Sequence, residues 1–78
     1  MMKRFKVFLR LVEGGPTLLS FVTAPTAIAA IQAEMVVKQV RFAPYALAFE
    51  SGKGGKGESA TLTEYVYVPA HPARKAVR

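Results

Sequence analysis

The chain has 78 residues, which leaves room for one core and excludes a multi-domain arrangement. Apolar residues make up 51% of it, with five Phe and three Tyr, enough hydrophobic surface to offset the entropy of ordering a chain this short. The absence of Cys excludes a disulfide framework and a thiolate zinc site, and the net charge of +6, from eleven Lys and Arg against five Glu, favours anionic partners.

From Phe5 to Val12 the apolar residues Phe5, Val7, Leu9 and Leu11 alternate with Arg4, Lys6 and Arg10 on the other set. A period of two predicts a strand with one buried face. Gly14-Gly15-Pro16 supplies turn residues, and Leu18 to Thr23 reads as the second strand of a hairpin. The period then changes: Pro25 suits a first helical turn with Thr23 or Ala24 as its cap, and Ile28, Ile31 and Met35 recur at helical spacing. Ala24, Ala27 and Ala30 fill the same face, which lets the helix lie close on a sheet. Gln32, Glu34 and Lys38 are expected to face away, and the helix to end near Val37 or Lys38.

Val40, Phe42, Tyr45, Leu47 and Phe49 predict a third strand whose alternation slips by one at Pro44, as at a bulge or on an edge strand. After the glycine-rich run Ser51 to Ser59, Ala60 to Val68 returns to strand character. Leu62, Val66 and Val68 are expected on one face, with Thr61, Thr63, Tyr65 and Tyr67 on the other. The prediction is therefore an α+β domain over residues 1–69: a small antiparallel sheet of about four strands, in the order ββαββ, with one helix packed on it. Residues 70–78 carry no periodicity and are expected to form a disordered basic tail.

Lys53-Gly54-Gly55-Lys56-Gly57-Glu58-Ser59 resembles the phosphate loop of the ParA and MinD ATPases. That family pattern implies a lysine against the terminal phosphates, where this sequence has Glu58, and a loop between strand and helix, where this one joins two strands. The resemblance covers seven residues and is rejected as a nucleotide site. A lysine-solubilised hairpin tip, or an arm along a nucleic-acid backbone, fits the run better. His71 is the sole histidine and has no Cys, Asp or second His to join it, so neither a metal site nor base catalysis is expected. The five Glu form no spaced pair, and Ser20, Ser51 and Ser59 have no base in prospect. The expectation is a non-enzymatic protein without cofactor or metal.

What remains is the outer face of the first strand, where Arg4, Lys6, Phe8 and Arg10 follow one another. Cations interleaved with an aromatic ring suit backbone attraction plus base stacking on single-stranded DNA or RNA. In that reading Arg4, Lys6, Arg10, Lys53 and Lys56 neutralise phosphates, while Phe8 and Tyr65 or Tyr67 stack on bases. Two alternatives stand beside it. One is a protein-interaction module with an acidic partner, such as a phage-encoded inhibitor of host defence similar to anti-CRISPR proteins. The other is a homo-oligomeric structural subunit that uses Phe8 and Val12 at its interface. In length and texture the chain resembles the short accessory proteins of bacteriophages and plasmids.

The basic start and the apolar stretch from Leu18 to Ala30 superficially suggest a secretion signal, but Arg10, Glu13, the Gly14-Gly15-Pro16 turn and Pro25 interrupt it. A cytoplasmic location is expected, and no run of about 18 apolar residues is available for a membrane span.

Overall fold

A computed structural model of the chain describes residues 1–68, so the expected tail at 70–78 lies outside the described residues. The elements are β1 (Lys3–Arg10), β2 (Thr17–Ala24), α1 (Ala27–Lys38), β3 (Phe42–Glu50) and β4 (Ser59–Val66). They form one four-stranded sheet in the order β2-β1-β3-β4, all neighbours antiparallel, with α1 on one face. This is the α+β architecture the patterning predicts. Because β2 and β3 flank β1 and run the same way, the link between them has to cross the sheet, and α1 is that crossover.

The core lies between α1 and the sheet. Phe5, Val7 and Leu9, the inward set of β1, are fully buried against Ile31 and Met35 of the helix. Burying a side chain of this size contributes about 1.5–3 kcal/mol. The helix side of β3 belongs to Ala43, Ala46 and Ala48, all fully buried, so that α1 lies close over the sheet through its own Ala27 and Ala30. The large residues Tyr45, Leu47 and Phe49 consequently occupy the opposite face of β3.

Three details of the helix differ from the sequence reading. β2 continues to Ala24, so the cap is neither Thr23 nor Ala24 but Thr26, whose hydroxyl accepts from the Ala29 N–H at 3.1 Å. The buried positions are Ala27, Ala30, Ile31, Glu34 and Met35, which leaves Ile28 37% exposed. Glu34 turns inward instead of away: its carboxylate accepts from the Ser20 hydroxyl at 2.6 Å and pairs with Lys38 one turn on at 3.0 Å. A buried carboxylate persists only where such partners hold it.

The slip expected at Pro44 is present, although β3 is a central strand and not an edge. Pairing runs Ala43 with Tyr65 and then Tyr45 with Thr63, which leaves Pro44 and Glu64 facing each other outside the ladder. Proline has no N–H to give to β4, and Glu64 opposite it adopts a left-handed backbone (φ 52°). The inside-outside alternation therefore shifts on both strands together. Tyr65 and Tyr67 move to the helix side and pack on the core, while Val66 and Val68 become exposed, the reverse of the face assignment expected for this end of β4. A non-glycine residue in the left-handed region costs on the order of 1–2 kcal/mol. Replacing Glu64 with Gly is expected to raise stability by about 1 kcal/mol, seen as a Tm increase of roughly 4–8 °C in thermal denaturation. An unchanged or lowered Tm contradicts this account of the slip.

Candidate nucleic-acid interface

One helix covers one face of the sheet, and the alternation of each strand decides which side chains occupy the other. The uncovered face is built in rows across the strands. Phe21, Lys6, Phe49 and Ser59 make one row, Leu19, Phe8, Leu47 and Thr61 the next, and Thr17, Arg10, Tyr45 and Thr63 the third, with Arg4 beside Thr23 at one end. None of these positions is acidic. The described residues enclose no pocket, so this candidate site is a surface.

Its cations lie over its rings. The Arg4 guanidinium sits 5.0 Å from the Phe21 ring centre, and Lys6 reaches both Phe21 at 5.7 Å and Phe49 at 5.8 Å. Arg10 lies 5.3 Å from the Tyr45 ring, and Phe8 stacks on Phe49 with centroids 6.0 Å apart. Each cation–ring contact contributes about 0.5–1 kcal/mol at an exposed site and holds the charge above the sheet. Among the described residues the two ion pairs are Lys3 with Glu58 and Lys38 with Glu34, neither of them on this face. Arg10 Nη2 donates a long bond to the Thr17 hydroxyl at 3.5 Å, and its Nε is the one buried side-chain nitrogen or oxygen without a hydrogen-bond partner among the described residues.

Of the residues the sequence singles out, Arg4, Lys6, Phe8 and Arg10 share this face. Tyr65 and Tyr67 do not: they stand on the helix side, and the Tyr65 hydroxyl accepts from Gln32 Nε2 at 2.9 Å. Lys53 and Lys56 are exposed at the tip of the β3–β4 hairpin, at the end of the sheet where the Ser51 N–H donates to the Arg4 carbonyl. The residues missed are Phe21, Phe49 and Tyr45, which flank the cations, and Leu19 and Leu47 beside Phe8. The pairing of Phe21 with Lys6 is centred between Glu13 and Gly14, so a register extrapolated from Gly14-Gly15-Pro16 does not give it. Phe49 and Tyr45 are no easier to place, because β3 meets β1 only after the crossover.

The glycine-rich tip is organised by two carboxylates. Glu50 Oε1 accepts from the Glu58 N–H at 2.9 Å, and the Glu50 N–H donates to the Glu58 carbonyl at 2.9 Å. Gly57 fits under this pair because a Cβ there would lie 2.6 Å from Glu50 Cβ. Glu58 itself reaches across to the helix. One carboxylate oxygen accepts from the Ala27 N–H at 2.7 Å and the other from Lys3 Nζ at 3.1 Å. The residue that spoils the resemblance to a phosphate loop is thus the anion at the N-terminus of α1, where peptide dipoles favour negative charge. The Ala27 N–H and then Lys3 hold its pKa below the ordinary carboxylate value of 4.5.

No family model, curated protein or solved structure matches this chain.

A lowered folded-state pKa means that Glu58 stabilises the fold fully above about pH 4.5 and loses that contribution as pH falls through the lowered value. Glu58→Gln is expected to melt below the parent protein at neutral pH, with the gap closing in acid. Glu58→Lys, which completes the phosphate-loop pattern, is expected to melt lower still and to acquire no ATP binding by calorimetry. Equal melting of parent and Glu58→Gln at neutral pH is incompatible with this role.

Proposed function

We propose that the chain is a non-enzymatic protein that binds single-stranded DNA or RNA on the open face of its sheet, with little sequence preference. The observation that carries this reading is the row Arg4, Lys6 and Arg10, which has rings on both sides and no carboxylate among the described residues within ion-pair distance. A nucleic-acid strand presents what this face lacks: phosphates for the cations and flat apolar bases for Phe21, Phe8 and Phe49. Base–aromatic stacking is worth about 1–3 kcal/mol per base and tolerates any sequence. Lys53 and Lys56, beyond the Arg4 end, extend the positive track, while Tyr65 and Tyr67 play no part in stacking.

A second reading, an interaction module for an acidic protein such as a target of a phage-encoded inhibitor, is favoured by Leu19, Phe8 and Leu47. They form an apolar row at the centre of the face, and aliphatic side chains suit a protein surface better than a base.

Salt separates the two. In fluorescence anisotropy with labelled oligothymidylate, affinity is expected to fall with salt, each phosphate contact adding about 0.7 to the logarithmic slope. Arg4→Ala, Lys6→Ala and Arg10→Ala together are expected to reduce that slope by about 2. Phe21→Ala is expected to weaken binding by about 1–3 kcal/mol at every salt concentration and leave the slope unchanged. Absence of binding to single-stranded DNA, duplex and RNA alike at low salt removes this reading and leaves the protein partner.

A further inference from the structure

The two edges of the sheet are unlike. On β4 the left-handed Glu64 takes the backbone out of the ladder and puts a charge there. On β2 all eight residues, Thr17 to Ala24, pair one to one with β1, and none is charged. Sheet edges are ordinarily blunted by lysine, proline, a bulge or a covering loop, because a flat edge recruits another strand. β2 itself has none of these intrinsic devices.

The backbone groups along that edge follow from the register. The Ser51 N–H donates to the Arg4 carbonyl, so Arg4, Lys6, Phe8 and Arg10 direct their peptide groups to β3, and Phe5, Val7 and Leu9 direct theirs to β2. On β2, Leu18, Ser20 and Val22 answer β1, while Thr17, Leu19, Phe21 and Thr23 present N–H and C=O groups outward. The segment Thr17-Leu18-Leu19-Ser20-Phe21-Val22-Thr23 is also matched to its own reverse: threonine at both ends, aliphatic residues next, Leu19 and Phe21 either side of Ser20.

We infer that β2 pairs antiparallel with β2 of a second copy about a two-fold axis at Ser20, joining the two four-stranded sheets into one. In that register Thr17 meets Thr23 of the other copy, Leu18 meets Val22, Leu19 meets Phe21 and Ser20 meets itself. These are pairings of threonine with threonine and of aliphatic with aliphatic or aromatic side chains, the kinds that stabilise adjacent strands. The four outward residues of each copy find all their partners. The like charges nearest the axis are the Glu34 carboxylates, each hydrogen-bonded to its own Ser20 at 2.6 Å and paired with Lys38 of the same copy at 3.0 Å, while Arg4 and Lys6 lie over Phe21 of their own copy. Leu18 and Val22, half-buried in one copy, gain cover. Face-to-face pairing of the open faces would instead set Arg4, Lys6 and Arg10 against themselves without an acid between them. An unrelated extended peptide could also add to this edge, but the match of the strand to its own reverse selects the second copy. The inference is independent of nucleic-acid binding, and its test contains none.

Sedimentation equilibrium on the nuclease-treated full chain, from micromolar to millimolar concentration, is expected to show mass rising from 8.5 kDa towards twice that value. Thr17→Glu with Thr23→Glu sets like charges opposite one another between copies, as does Thr17→Lys with Thr23→Lys. Each double variant is expected to remain at 8.5 kDa alone and to form a heterodimer when the two are mixed. Leu19→Pro removes an outward N–H without touching the β1 ladder, and is expected to keep its circular dichroism while losing self-association. A parent chain that stays monomeric to millimolar concentration overturns the inference. So do charged variants that self-associate as the parent does, or a mixture of them that fails to associate.

Discussion

A single helix of 12 residues, about 18 Å long, has to serve a sheet four strands wide. It can roof one face only. Every strand residue is therefore assigned by alternation either to the layer beneath α1 or to a face with no layer above it. Phe5, Val7 and Leu9 take the covered side together with the alanines of β3. The second face inherits Phe8, Phe21, Tyr45, Leu47 and Phe49 as one contiguous set, with Phe21 about half exposed and the others partly buried. On that face the charged ends of Arg4, Lys6 and Arg10 lie over the rings of Phe21 and Tyr45. The same three residues shield the aromatic surface and give the face its sign.

The acids are distributed so as to leave that sign intact. Glu34 is enclosed between α1 and β2, Glu50 and Glu58 organise the hairpin tip and the helix start, Glu64 occupies the slip opposite Pro44, and Glu13 lies in the first turn. Each of the first four is accounted for by a local backbone or side-chain requirement. The net charge of +6 is thus not an even coat, and the uncovered face has cations at its centre with no acid at any paired position.

Much of the architecture is legible in the sequence because it depends on local patterns. The alternation of β1, the Gly14-Gly15-Pro16 turn, the end of the helix and the slip at Pro44 each announce themselves within a few residues. What escapes is decided by distant partners. Alternation separates Tyr45, Leu47 and Phe49 from Ala46 and Ala48 but does not tell which set meets the helix, and the small set wins because α1 brings alanines of its own. Glu34 turns inward because Ser20 waits on β2, fourteen positions away in the chain. Glu58 accepts from the first N–H of α1, that of Ala27, 31 positions earlier, which no short motif reveals. The change of face at Tyr65 and Tyr67 follows from the backbone of Glu64, a residue whose type gives no sign of a left-handed conformation.

If the uncovered face, and not the helix or the glycine-rich tip, meets nucleic acid as proposed, a two-dimensional amide NMR titration with unlabelled oligothymidylate tests it most directly. The largest shift changes are then expected on Lys6, Phe8, Arg10, Phe21, Tyr45 and Phe49, with those of Ile28, Gln32 and Val36 on α1 remaining small. Changes confined to α1 or to residues 52–57, or none at all at saturating oligonucleotide, would contradict it.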